Sequence, residues 1–203
     1  PVAIDLARPD LDTAIRTAVG DRDIGLLVYN ACYSVIGPYL ETLTADKQKM
    51  IDVNCRGPVT LVDTFVPEMV ARKRGGVILM SSMSGFQGSA LVAAYAATKA
   101  FNTVLAEGLW EELAPHGVDV LGMVAGATRT PGFEQQTPTD RQRMTFPMDP
   151  EDVAREALTA LGRQPLAIAG PVNKAVHFVF SRLVPRQAAV RFFARTTRKV
   201  YGE

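Results

Sequence analysis

Four side chains could carry chemistry in this sequence: Asn54, Ser82, Tyr95 and Lys99, the last three set in "SSMSGFQGSALVAAYAATKA". Tyr95 and Lys99 stand four residues apart in an alanine-rich stretch of good helix propensity, so both project from one helical face. An ammonium there acts on the phenol. Free tyrosine ionises near pH ~10, and a neighbouring cation favours the phenolate, moving the group towards proton transfer at neutral pH. The hydroxyl of Ser82, at the end of the apolar run "GGVILMSS", then holds an oxygen on which charge develops. Asn54 lies in "IDVNCRGPVTLVDTFVPEM", where Pro58, four residues later, has no N–H to give to the carbonyl of residue 54. A kinked helical turn with that carbonyl open to water is expected. Alone, a Tyr-x-x-x-Lys pair reads as two solvated side chains on an exposed helix; Ser82 and Asn54 favour the chemical reading.

With these residues in this order, the chain resembles the classical short-chain dehydrogenase/reductase family, whose Asn, Ser, Tyr and Lys tetrad falls on Asn54, Ser82, Tyr95 and Lys99. "LVYNAC" is similar to that family's Asn-Asn-Ala-Gly segment, with Tyr29 for the first Asn and Cys32 for the Gly. "VAGATRT" is similar to its Pro-Gly-x-x-x-Thr segment, with Ala125 for the Pro and Thr130 for the Thr. "PVAIDLARPD" is similar to its third strand, whose Asp, here Asp5, lies beside the cofactor adenine.

The resemblance implies an oxidoreductase that uses NAD or NADP to interconvert an alcohol and a ketone or aldehyde. Tyr95 would deliver the proton, Ser82 would hold the carbonyl oxygen, Lys99 would tune the phenol and position the ribose, and Asn54 with water would resupply the proton. Asn30 and Ala31 would flank the cofactor, and Thr130 would bond its carboxamide. Without the resemblance, Asn30 reads as an amide bonding backbone edges and Thr130 as a helix cap. Cys32 reads as a tolerated small residue.

The family's Thr-Gly-x-x-x-Gly-x-Gly phosphate turn has no counterpart in the sequence. In the family's strand order, 3-2-1-4-5-6-7, that turn follows the first of two strands lying between those matched by "VAIDL" and "IGLLVYN". The sequence is therefore expected to lack its N-terminal strands.

The elements that must position these residues are legible from pattern. "LLVYNA", "GVILMS", "VDVLGMV" and "PLAIAG" are short, rich in Val, Ile and Leu, and lack two-residue alternation, as expected for strands covered on both faces. Helical patterns separate them. "VTLVDTFVPEMV" gathers Leu61, Val62, Phe65, Val66, Met69 and Val70 on one side, and "AATKAFNTVLAEGLWEEL" gathers Phe101, Val104, Leu105 and Leu109. Asp149, Pro150 and two acids open a further helix, "EDVAREALTALG". Strands alternating with helices predict an α/β fold with a doubly wound parallel sheet, Rossmann-like, in three α/β/α layers. Residues 1–170 are expected to form this partial Rossmann-like domain, and residues 171–203 a basic, partly amphipathic helical extension of it. The segment Pro131 to Asp149 occupies the family's substrate-loop position, with Phe133, Met144 and Phe146 able to close over an apolar substrate.

A chain of 203 residues suits one domain with a substantial core. Its net charge of +1 conceals an asymmetry, because from Lys174 onward seven Lys or Arg face one acid, Glu203. Such a basic, aromatic-bearing end can lie on an anionic membrane surface, or pack its apolar face on the body. The tail is similar to that of reductases acting on lipid-like compounds. Residues 75 to 98 carry no charge, yet their four glycines and several serines read as a strand and an active-site loop rather than a membrane span. Cys32 and Cys55 make no disulfide framework, which makes a cytoplasmic setting the default, either free or peripheral to a membrane. No metal site is expected, since His116 and His177 lack ligand-spaced neighbours, and no nucleic-acid module is visible. Apolar content on the two long helices beyond one packing stripe implies a homodimer or homotetramer. Two rival readings stand beside the enzyme: a non-catalytic binding or scaffold protein, which the absent phosphate turn favours, and a sugar-nucleotide epimerase or dehydratase, which the short Ser82 to Tyr95 interval disfavours.

Overall fold

The apolar runs become four parallel strands, β1 Leu26–Tyr29, β2 Gly75–Ser82, β3 Val118–Ala125 and β4 Leu166–Ile168, paired in the order β1-β2-β3-β4. Val28 sits opposite Ile78, Ile78 opposite Leu121, and Met123 opposite Ala167. The computed structural model describes residues 1–202. Its helices are α1 Leu11–Val19, α2 Thr44–Ile51, α3 Gly57–Ala71, α4 Ala93–Leu113, α5 Pro131–Gln136, α6 Thr139–Gln142, α7 Pro150–Ala160, α8 Pro171–Arg182 and α9 Arg186–Tyr201.

Strand pleating sends alternate side chains into two separate cores. Leu27, Tyr29, Val77, Leu79, Val118 and Val120 meet α1 through Leu11, α3 through Leu61, Phe65 and Met69, and α4 through Ala106. On the other face Ile78, Leu121 and Met123 meet Val153, Ala157 and Ala160 of α7. This is the expected doubly wound, Rossmann-like α/β/α arrangement, and it carries the C-terminal ends of β1 and β2 to one edge of the sheet.

Two expectations are corrected. Residues 1–5 form no strand and lead into a turn. A strand exists only through a paired neighbour, and β1 pairs with β2 alone among the described residues. The segment is instead tied down by Arg56, whose guanidinium donates to the Ala7 carbonyl at 2.7 Å and the Arg8 carbonyl at 3.0 Å. The second correction concerns α4. Leu105 and Leu109 pack on the core, whereas Phe101 is 38% and Val104 67% exposed. The apolar arc of α4 is wider than the face the sheet can cover.

Candidate active site

Pro58 shapes the segment that carries Asn54. Lacking an N–H, it cannot donate to the Asn54 carbonyl, and the chain answers with a π-helical turn over Asp52–Arg56 in which the Gly57 N–H reaches the Asp52 carbonyl. That slip removes the ordinary donor from the Val53 carbonyl. The Tyr29 hydroxyl takes its place, donating to Val53 O at 2.5 Å. Gly57 is required beside it, because a Cβ there would fall 2.1 Å from the Tyr29 oxygen. The kink expected at Asn54 is thus present, and a tyrosine at the end of β1 holds it. Replacing Tyr29 with Phe should leave a buried carbonyl unpaired and lower unfolding free energy by about 1–3 kcal/mol, measured by urea denaturation. An unchanged midpoint and slope would remove this role from Tyr29.

Asn54 is fully buried, and its amide is spent on structure. Its Oδ1 accepts from the Tyr33 N–H at 2.8 Å, while its Nδ2 donates to the Tyr33 carbonyl at 2.8 Å and to Thr98 Oγ1 at 3.0 Å. Thr98 in turn donates to the Tyr95 carbonyl at 2.8 Å. The side chain therefore clamps the segment after β1 to the first turns of α4, next to Tyr95.

Ser82 ends β2, and its hydroxyl caps the short 3-10 turn Met83–Phe86 by accepting from the Ser84 N–H at 3.2 Å. The turn lies directly on α4. A Cβ on Gly85 would come within 2.9 Å of the Ala100 nitrogen and the Lys99 carbonyl carbon. Ser81 adds a second tie, donating to the Lys99 carbonyl at 2.8 Å. These contacts bring Ser82 close to Tyr95, where its hydroxyl favours the ionised phenol.

Burial nevertheless wins. It pushes the Tyr95 phenol well above its ordinary value, with the Cys32 thiol and the Tyr201 phenol adding in the same direction and only Ser82 opposing. The expected lowering by Lys99 is therefore not what governs the phenol in this arrangement, and Tyr95 is protonated at neutral pH. The Lys99 ammonium is turned to the Met80 carbonyl at 3.1 Å and lies 5.8 Å from the Tyr95 ring centroid. Lys99 is only 3% exposed, and burial draws its pKa down, against Cys32 and Cys55, which raise it.

An ammonium has three donors, and this one meets a single acceptor among the described residues. Beside it Asn102, whose Nδ2 approaches the same Met80 carbonyl at 3.5 Å, has a buried Oδ1 with no partner. Polar groups buried in this state are costly unless another group completes them. A sugar diol, offering both acceptors and donors, fits that requirement.

The remaining candidates are more loosely placed. Asn30 and Ala31 are exposed just beyond β1. Cys32, exposed beside them, lies within electrostatic reach of both Tyr95 and Lys99, so this turn lies beside the cleft between the end of β1, the turn after β2 and the start of α4. Thr130 performs the capping role the sequence allowed, accepting from the Phe133 N–H at 3.2 Å at the start of α5. Asp5 accepts from the Ala7 N–H at 3.0 Å on an exposed turn. An open cavity of about 520 Å³ is lined by Arg129, Gln142, Arg143, Phe146 and Pro147, and none of the tetrad lines it. Sequence reasoning gave no role to Tyr29 beyond its motif position and none at all to Tyr33, Thr98, Asn102 and Tyr201. Of these, only Tyr29 and Thr98 sit inside segments the motifs singled out.

A parallel α/β/α sheet with Ser, Tyr and Lys gathered at its carboxyl edge defines a family. Residues 2–141 match the short chain dehydrogenase family, and the chain belongs to it. It is 33% identical over 170 residues to a 7beta-hydroxysteroid dehydrogenase of Clostridium sardiniense, covering 84% of this chain and 65% of that protein. The chain thus spans slightly under two thirds of that relative's length. A structure solved in work on 7beta-hydroxysteroid dehydrogenase stereoselectivity superposes with a TM-score of 0.85 at 28% identity, over 95% of this chain and 75% of that one. A gluconate 5-dehydrogenase-type structure from Beutenbergia cavernae with bound NADP gives 0.72 at 25% identity, over 83% and 73% of the two chains.

Proposed function

We propose that the chain carries the catalytic part of an oxidoreductase that uses NAD or NADP to interconvert an alcohol and a ketone or aldehyde. The observation that carries this reading is the arrangement around Tyr95: a buried Lys99 ammonium 5.8 Å from its ring with one protein acceptor, beside an Asn102 Oδ1 that has none. When bound, the nicotinamide cofactor supplies or accepts the hydride. The chain's own residues handle the oxygen and the proton. Ser82 donates a hydrogen bond to the substrate oxygen, Tyr95 releases its proton to that oxygen as charge develops there, and Lys99 holds the ribose hydroxyls and stabilises the phenolate left behind. The backbone carbonyl of Asn54 holds a water that passes a proton back. Asn30 and Ala31 flank the cofactor, and Thr130 and Asp5 are further contacts inferred from the motifs they match.

The proposal extends to a substrate class. Relatives named for hydroxysteroids favour a rigid apolar alcohol or ketone, and Phe133, Met144 and Phe146 place apolar side chains in the segment proposed to cover it. The full chain should oxidise NADPH or NADH when given a steroid bearing a ring ketone, and should turn over small aliphatic ketones more slowly. If it bound neither nucleotide in a fluorescence titration, the scaffold reading would replace the enzyme. A homodimer or homotetramer is part of the proposal, supported by the exposed Val59, Phe101 and Val104 on α3 and α4. Light scattering at micromolar concentration should report it, and a monomer there would remove it.

A further inference from the structure

Helices α8 and α9 present a surface that the proposed chemistry leaves unused. On α8, Val172, Ala175, Phe178 and Val179 all face outward at three- and four-residue spacing, and Leu183 follows in the turn to α9. Phe178 is 60% and Leu183 68% exposed. Phe192, 50% exposed on α9, packs its ring 4.7 Å from Phe180 and edge-on to Phe193 at 5.5 Å. Aromatic contacts therefore pin the two helices into one hairpin and hold an outward ring in place. Single exposed apolar side chains are ordinary, but a contiguous set rimmed by polar residues marks an interaction site.

The rim is cationic. Arg182 precedes Leu183, and the outward positions of α9 include Arg191, Arg195, Arg198 and Lys199. Among the described residues, none of these five cations has a carboxylate within ion-pair distance. No described helix is long and apolar enough to cross a membrane. A surface of this composition lies on an interface rather than through it.

We propose that the α8–α9 hairpin docks on an anionic lipid bilayer, with Phe178, Leu183 and Phe192 entering the headgroup boundary and the arginines pairing with lipid phosphates. Charge decides against a second copy as the occupant, since a two-fold contact would set this cationic hairpin against itself. The aliphatic Val172, Val179 and Leu183 around the exposed rings favour lipid over nucleic acid, since they gain from an acyl boundary and nothing from a phosphate backbone. Docking also has a geometric consequence. Arg186 donates to the Phe86 carbonyl at 2.5 Å, and Ser89 and Thr197 share a hydrogen bond of 2.7 Å, so the hairpin is fastened to the loop after Ser82. A docked protein holds its cleft beside the bilayer. The inference does not depend on the proposed reaction.

The test is sedimentation of the full chain with vesicles of phosphatidylcholine alone and of phosphatidylcholine with phosphatidylserine. Binding is expected on the anionic vesicles, at least ~10-fold weaker on the neutral ones, and weakened again at about 1 M salt, where screening acts within ~3 Å. The double variants Phe178→Ser with Leu183→Ser, and Arg191→Glu with Arg195→Glu, alter exposed positions only and should each lose ~10-fold or more of the anionic binding while unfolding at the parental temperature. A folded parent that stays in the supernatant, or sediments equally with both vesicles, overturns the proposal. So does a parent dimer that binds no vesicle and dissociates when Phe178 and Leu183 are changed, which would assign the patch to a second copy.

Discussion

Tyr95→Phe is expected to retain nicotinamide binding and to lower turnover by at least ~100-fold, the lower range for a positioned general acid. The substitution keeps the ring that packs in the cleft and deletes only the hydroxyl. Because burial holds the phenol protonated well above neutral pH, the parent enters reduction with its proton in place, and the loss should be as large at pH 6 as at pH 8. Ser82→Ala should act on the same step from the other side, lowering turnover by roughly 10²-fold through loss of one donor to the developing oxygen charge. It also deletes the acceptor of the Ser84 N–H, so its folding must be checked by circular dichroism, whereas Tyr95→Phe removes no hydrogen bond that holds the backbone. The measurement is steady-state NADPH oxidation beside a fluorescence titration of cofactor. Parental turnover in folded Tyr95→Phe would mean that the proton comes from elsewhere.

What the sequence disclosed and what it withheld divide along a physical line. Runs such as "GVILMS" and "VDVLGMV" announce strands buried on both faces because nearly every position faces a core and only Asp119 stands exposed, and both appear where expected. The kink at Asn54 was legible for an equally local reason, since Pro58 forbids one hydrogen bond whatever else the fold does. Its consequences were not local. That Tyr29 would supply the missing donor to Val53 depends on where β1 meets the π-helical turn, a contact across 24 residues. The same limit applies to the phenol. Four-residue spacing puts Lys99 on the face of Tyr95, but spacing says nothing of burial, and burial reverses the expected direction of the shift. The strand expected in "VAIDL" fails for the converse reason, because strand propensity is realised only against a partner.

Lys99 holds the largest conflict between stability and function. Its ammonium is buried, has one acceptor, and has its pKa drawn down by burial. An unfolded lysine binds its proton up to pH ~10.4, so between the depressed folded value and that limit the unfolded chain holds more protons, and stability rises with pH. Below the folded value the penalty for charging the site is present in full. Lys99→Met keeps a flexible stem of similar length and removes the charge. The lost hydrogen bond to Met80 is worth about 1 kcal/mol, whereas each unit of pKa depression costs about 1.4 kcal/mol. Without cofactor, the variant should therefore be at least as stable as the parent at pH 7, and any advantage should shrink as pH rises towards ~10. With cofactor the order reverses in effect: turnover should fall by at least ~100-fold and nucleotide binding should weaken, because the variant lacks the cation proposed to steady the Tyr95 phenolate and meet the ribose. Urea denaturation at pH 7 and pH 9.5 reads the first half, and nucleotide titration with steady-state rates reads the second. A variant clearly less stable than the parent at pH 7 would show that Lys99 is a structural cation rather than one held for a ligand.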